Sequence, residues 1–382
     1  MIRPTVAHVD LHAITSNLAD IRRFLDAAPR PGPAPAIIAV VKANAYGHGL
    51  ERVGRTLAEA GASCLACADV AEGMALREAG VAVPILIFGA LGVSDLSGLF
   101  THDLTPTVSS PTAARALEQA AERRGTGLSC HLKIDTGMNR LGFRHDNLRR
   151  TIPTLTDCGH LAVDGLYTHF ASADDPADPS FDAQRRRFDD AVRVLREMGV
   201  APRMRHAANS AALIRDPRCW YEAVRPGILL YGLAPGPAPT PMALRPAMSL
   251  RSRVTAVKGV RAGEAVGYGR RFVARRPSTV AIVPAGYADG IDGRLAGRGE
   301  VLVRGRRAPI IGSICMDMIV IDVTGYRVEP NDEVVILGTQ GEQSIDAREM
   351  ASIVDTIPYE VVCRIGSRIE RVYNERAIPP SA

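Results

Sequence analysis

The sequence predicts an α/β protein: a (β/α)8 barrel of the TIM type followed by a C-terminal, mainly β domain. Two textures and the break between them carry that expectation. From Ile37 to about Val224, short apolar segments alternate with helical patterns, as repeated βα units do. The stretch Ala234-Pro-Gly-Pro-Ala-Pro-Thr-Pro then interrupts the alternation and reads as a connector. Beyond Met248, β-branched segments separated by Gly, Pro and Asp turns take over. The domain boundary is therefore placed at 240, with the barrel over 1–240 and the β domain over 241–382.

A helical pattern over Leu11–Phe24 precedes the first strand. Eight strands follow: Ile37–Lys42, Cys64–Ala68, Ile85–Phe88, Leu104–Val108, Ser129–Ile134, Val163–His169, Met204–Ala207 and Glu222–Val224. The first is apolar throughout until Lys42, the mark of a strand buried on both faces in a parallel sheet. Covering helices are expected at Glu51–Ala60, Ala71–Ala79, Pro111–Arg124 and Phe181–Met198, and Pro29–Pro35 reads as a loop. In the second domain the strands are Ser252–Val257, Thr279–Val283, Glu300–Val303, Ile319–Val323 and Glu333–Leu337, with a helix at Ala347–Val354.

Composition narrows the class. Hydrophobic residues make up 46% and charged residues 23% of 382, the balance of a globular chain. No stretch approaches a membrane span, and the first ten residues lack a signal-peptide core, so a cytoplasmic protein is expected. Seven scattered cysteines argue for reduced thiols. Cys64-x-x-Cys67 has no second pair and lies in an apolar strand, so both are read as core and no metal is expected. The net charge of +5 alone would suit an acidic partner, but the arginines are dispersed. The triplet Arg185-Arg186-Arg187 falls on a helix with Phe181 and Phe188, as a solvated face would.

Three lysines stand among 46 Lys and Arg, and Lys42 opens the run Lys42-Ala-Asn-Ala-Tyr46-Gly-His-Gly49. A lysine, unlike an arginine, can lose its proton near neutral pH and attack a carbonyl. At the end of a buried strand its pKa falls, which suits a Schiff-base lysine. Lys258 is read as a solvated strand end. In a barrel, catalytic groups gather at the carboxy ends of the strands. Lys42, Asp135, Thr136, His169, Asn209, Ser210 and Arg225 all fall there.

The Lys42 run resembles the cofactor-lysine segment of alanine racemases, and the resemblance extends from Val9 to Tyr373. It is carried further by Lys133-Ile-Asp-Thr-Gly-Met-Asn-Arg-Leu-Gly142, Thr168-His-Phe-Ala171, Ala208-Asn-Ser210 and Val224-Arg-Pro-Gly-Ile-Leu-Leu-Tyr-Gly232. In the second domain it rests on Val266-Gly-Tyr-Gly-Arg270, Gly286-Tyr-Ala-Asp-Gly290 and Cys315-Met-Asp317. The chain is thus identified as similar to fold-type III racemases that depend on pyridoxal 5'-phosphate (PLP).

That family implies Lys42 as cofactor anchor and one base, with Tyr268 as the base on the opposite face. His169 would link Tyr268 to Arg225, and Arg225 would meet the cofactor nitrogen. Because arginine cannot accept a proton there, the ring is a weaker electron sink than one facing a carboxylate. Ser210, Gly227, Ile228, Tyr46 and Tyr359 would hold the phosphate, with Asn209 nearby. Arg140 and the Met316 backbone would meet the substrate carboxylate, Tyr287 would line the entrance, and Asp317 would match the inner gate. Lys133 corresponds to a position carbamylated in some members.

The resemblance further implies a homodimer with shared active sites that makes D-alanine for peptidoglycan. A racemase of serine or lysine is the alternative substrate reading. A PLP-dependent decarboxylase fits Arg225 poorly, and a PLP-carrier barrel would lack the second domain.

Overall fold

The computed structural model describes residues 3–29, 32–89, 96–236 and 240–374. Parts of the two Pro/Gly stretches, 30–31 and 237–239, lie outside them. The described residues fall into two compact units, one within Thr15–Ala45 and Leu50–Leu244, the other within Met1–Ile14, Tyr46–Gly49 and Arg245–Ala382.

The first unit is a closed barrel of eight parallel strands. Helix α1 (Leu11–Ala27) precedes β1 (Ala36–Val40), and α2 (Leu50–Glu59) leads to β2 (Cys64–Cys67). Helix α3 (Val70–Glu78), β3 (Ile85–Ile87), α4 (Ser97–Thr101), β4 (Thr105–Val108) and α5 (Pro111–Glu122) follow. Then come β5 (Leu128–Asp135), α6 (Leu148–Thr151), α7 (Pro153–Thr156), β6 (Leu161–Tyr167) and α8 (Ser180–Glu197). The series ends with β7 (Met204–His206), α9 (Ser210–Arg215) and β8 (Ala223–Val224). Each strand pairs with the next, Thr107 faces His131 where β4 meets β5, and β8 returns to β1 with Ala223 opposite Ala36. Both faces of these strands are covered, which is why β1 and β2 are apolar without alternation. Cys64 and Cys67 are buried thiols within β2.

Sequence signals for starts and stops are used as written. Ser110 caps α5 by accepting the Ala113 N–H, with Pro111 in the first turn, and Asp69 caps α3 through the Glu72 N–H. Of the arginine triplet on α8, Arg186 and Arg187 are exposed and Arg185 is half-buried. Arg187 Nη1 donates to Thr136 O at 3.0 Å, and Arg185 lies among Asp182, Asp189 and Asp216.

The second unit is mainly β. Its long sheet runs Ala256–Val260, Ser278–Val283, Ile319–Asp322, Arg306–Ile311, Glu300–Val303, Glu333–Gln340, Met248–Arg253, Val6–Asp10 and Glu370–Asn374. Val6–Asp10 thus joins strands from the far end of the sequence, with Val6 opposite both Arg251 and Glu370. One core cluster gathers Val260, Val266, Ala274, Val280 and Ile311. The expected strand Ser252–Val257 is two strands. The amides between them part company, Val254 N–H going to Asp332 O and Thr255 N–H to Ile282 O, both at 2.9 Å. Ala347–Ile353 is helical as expected, and Lys258 is exposed within Ala256–Val260.

Candidate active site

In the barrel, Lys42 directly follows the buried residue Val41 and is itself half-buried. The chain then enters an unusual conformation: Ala43, Asn44, Ala45 and Tyr46 have φ of 54, 55, 52 and 53°, followed by Gly47 at 82°. A left-handed turn of L-residues costs roughly 1–2 kcal/mol per residue. Side chains hold it in place. Asn44 Oδ1 accepts the Leu50 N–H at 2.8 Å, and Asn44 N–H donates to Glu72 Oε1 at 3.1 Å. The other Glu72 oxygen accepts the Ala68 N–H at 2.8 Å, tying the turn to the end of β2.

Arg225, one residue past β8, is the hub of a buried network and is itself 3% exposed. Its Nη1 donates to His206 O at 2.7 Å and lies 2.8 Å from His206 Nδ1. Its Nη2 donates to Thr168 O at 2.7 Å and Ala207 O at 3.0 Å, and lies 3.3 Å from His169 Nδ1. Burial pushes the guanidinium down to about 10, so it stays charged at neutral pH. A guanidinium can only donate, so both histidines present a bare Nδ1 to it and carry their proton on Nε2. Burial first, and then the Arg225 charge, hold both imidazoles neutral, well below the ordinary histidine value. His206 Nε2 in turn lies 2.9 Å from His131 Nδ1, and Tyr167 stacks on His206 at 4.8 Å.

Asn209 rather than Ser210 caps α9, its Oδ1 accepting the Ala212 N–H at 2.9 Å. Ser210 is thereby free of the cap, and its Oγ accepts the Gly227 N–H at 2.9 Å, joining the start of α9 to the Gly227–Ile228 segment. Lys133 is buried, with its ammonium 5.6 Å from the Tyr167 ring centre. Burial, then the charges of Arg140 and Arg225, lower its pKa to about 8 against the pull of Asp135. Arg140 is exposed on the loop after β5, whose turn Asp135 fixes by accepting the Gly137 and Asn139 N–H groups. The charges of Lys42 and Arg225 act on both Lys133 and His169, so these four barrel residues lie in one neighbourhood.

In the second unit, Tyr268 sits between Gly267 and Gly269, whose φ of 71° and 69° only glycine adopts without strain. Its side chain is 76% exposed, and Ser313 Oγ donates to its carbonyl at 2.8 Å. Tyr287 and Met316 are likewise exposed, on adjacent loops joined by Tyr287 N–H to Cys315 O at 3.0 Å and Ala288 N–H to Met316 O at 2.9 Å. Asp317 follows Met316 on the second of these loops. The Tyr46 and Tyr359 rings lie 6.0 Å apart, and burial pushes the Tyr46 hydroxyl well above the ordinary tyrosine value.

His131 and His206 were not singled out from sequence. One buried histidine carries no signal of its own, and their pairing depends on β5 and β7 being placed two strands apart around the barrel. The residues that hold the left-handed turn, Asn44 and Glu72, were missed for the same reason.

Comparison with known proteins agrees with this architecture at full length. Residues 9–235 match the family described as alanine racemase, N-terminal domain, and residues 247–373 the alanine racemase, C-terminal domain. An alanine racemase of Symbiobacterium thermophilum is 40% identical, with 97% of each chain covered. The crystal structure of alanine racemase from D-cycloserine-producing Streptomyces lavendulae superposes with a TM-score of 0.92 at 36% identity, covering 98% of both chains. That of Bartonella henselae, with covalently bound pyridoxal phosphate, gives 0.83 at 26% identity, covering 97% of this chain and 99% of its own. With both domains matched and relatives of this identity over its whole length, the chain belongs to the alanine racemase family of isomerases.

Proposed function

We propose that the enzyme interconverts L-alanine and D-alanine with PLP through two bases, Lys42 and Tyr268, and so supplies D-alanine for peptidoglycan. The observation that carries this reading is Arg225: a buried, charged donor at the strand ends, flanked by two histidines that can only accept from it.

The donor set fits the cofactor. Ser210 Oγ, at the start of α9, accepts the Gly227 N–H beside Ile228, which brings together a hydroxyl and backbone amides suited to a phosphate, with Tyr46 and Tyr359 as further hydroxyls. Asn209 supports this cradle through its cap. Lys42 would carry the cofactor covalently, and Arg225 would face its ring nitrogen as a donor. PLP, when bound, delocalises the charge left at the substrate α-carbon when its proton departs.

The chain's own groups then move the proton. Lys42 Nζ serves one face of the α-carbon. The Tyr268 hydroxyl serves the other face. His169 keeps its proton on Nε2 because Arg225 occupies Nδ1, so it can donate to the Tyr268 oxygen and favour its ionised form. Arg140 and the Met316 backbone orient the substrate carboxylate, Tyr287 lines the approach, and Asp317 stands at the gate. Lys133, with its pKa near 8, keeps enough neutral amine at slightly alkaline pH to take up carbon dioxide, and its carbamate would orient Arg140.

We assign the cofactor to the barrel, 1–240, and completion of the active site to the β domain, 241–382. A homodimer in which the β domain of one copy serves the barrel of the other would occupy the exposed Tyr268, Tyr287 and Met316. No described helix is long and apolar enough to cross a membrane, in keeping with a cytoplasmic enzyme.

Borohydride reduction of the PLP-loaded protein, followed by peptide mapping, tests the anchor. A pyridoxyl label on Lys42 supports the assignment, whereas a label on Lys133 or Lys258 contradicts it.

A further inference from the structure

The two loops carrying Tyr287, Met316 and Asp317 behave as one piece. Besides the two backbone bonds between them, Gly286 lies so close that a Cβ there would stand 2.4 Å from Cys315 O, Met316 C and Asp317 N. What shapes the first loop is Asp289, a fully buried carboxylate at its far end. Its Oδ2 accepts the Gly286 N–H at 2.9 Å, while its own N–H returns to Gly286 O at 3.0 Å.

Arg3 closes on this carboxylate with both terminal nitrogens, at 2.6 and 2.8 Å, and Arg368 Nε stands 3.7 Å away. Burial raises the Asp289 pKa, but the bonds from Arg3 and Gly286 outweigh it and keep the group ionised. Arg3 is a firm post. It precedes the strand Val6–Asp10, which is paired on both sides, and Thr5 Oγ1 donates to Pro284 O at 2.6 Å, two residues before Gly286. The Asp317 charge also acts on Arg3.

We infer that Arg3 and Asp289 are positioning residues for substrate: their bidentate pair sets the placement of Tyr287 and Met316 without touching substrate. This rests on the assignment of Tyr287 and Met316 to the substrate made above. A fork-to-carboxylate pair suits the task because it fixes angle as well as distance. The pair spans 286 positions of sequence, so it ties the start of the described chain to the loop.

The test uses the full-length, PLP-loaded enzyme with Arg3→Gln, Arg3→Lys and Asp289→Asn. In Arg3→Gln and Asp289→Asn, KM for alanine is expected to rise on the order of tenfold while kcat stays within about threefold, the mark of lost uniform binding. Amide hydrogen exchange should quicken at Tyr287 and Ala288 and stay unchanged in Ser278–Val283. Arg3→Lys, which keeps the charge and loses the fork, should recover part of the KM. Arg3 is partly exposed, so its variants fold even if Asp289→Asn does not. Unchanged KM, or a lower melting temperature alone, would make the pair merely structural and overturn the inference. If the unaltered enzyme does not turn over alanine, the functional assignment fails instead, and unchanged exchange at Tyr287 and Ala288 would still overturn the proposed clasp.

Discussion

At Ala43 a methyl group occupies a backbone region that suits glycine, and nothing in the side chain repays the strain. Ala43→Gly should therefore raise stability by about 0.5–1 kcal/mol, because relief of the left-handed strain exceeds the added freedom of the unfolded chain. Chemical denaturation would show it as a higher midpoint at unchanged slope, and a lower midpoint would contradict it. Arg225 poses the opposite case. Arg225→Lys keeps a cation but cannot serve three carbonyls and two imidazoles from one plane, and should cost roughly 2–3 kcal/mol. A melting temperature within a degree of the original would refute that. Lys42 stood out because lysine is rare here and it closes an apolar strand, and Arg225 because it follows the eighth strand and matches the family's motif. The conformation after Lys42 was not, since Ala-Asn-Ala spells nothing left-handed. Nor could sequence decide between Asn209 and Ser210 as the cap of α9. Both are cap residues, and only the extended backbone at Asn209 settles it.

Elements were legible where burial is two-sided and obscured where partners are distant. The run Ile37–Val41 has no polar residue to hide its nature, and β1 lies there. Arg306–Ile311 lies inside the second sheet, between Glu300–Val303 and Ile319–Asp322, yet its opening Arg-Arg-Ala-Pro reads as a turn. Val6–Asp10 is short and interrupted by His8, so only its pairing with Met248–Arg253 and Glu370–Asn374 makes it a strand. At the loop scale, Gly286 is needed for space rather than for φ, which is an ordinary −144°. Gly286→Ala should cost roughly 2–3 kcal/mol, because the Cβ meets backbone that cannot rotate away. A variant as stable as the parent would show that the two loops can part. Glu72→Ala removes both acceptors that hold the left-handed turn to β2, and faster exchange at the Asn44 amide is the expected outcome.

For the molecule as a whole, carboxylates paired with arginines set the response to acid. Asp289 is depressed by Arg3 and Gly286 against the effect of burial, and Asp292 is held down to about 2, first by its bond from Arg294. A group whose folded pKa is depressed stabilises the fold above its unfolded value of about 4 and loses that contribution as pH falls through the folded one. Thermal stability should thus be level near neutral pH and decline from about pH 5 downward. A melting temperature unchanged between pH 7 and pH 3 would be inconsistent with it. The central claim is chemical, and one assay addresses it: conversion of L-alanine to D-alanine by purified, PLP-loaded protein, with L-serine, L-lysine and Lys42→Ala alongside. The account predicts turnover that prefers alanine and vanishes in Lys42→Ala. No turnover with PLP bound, or full turnover in the variant, would contradict it.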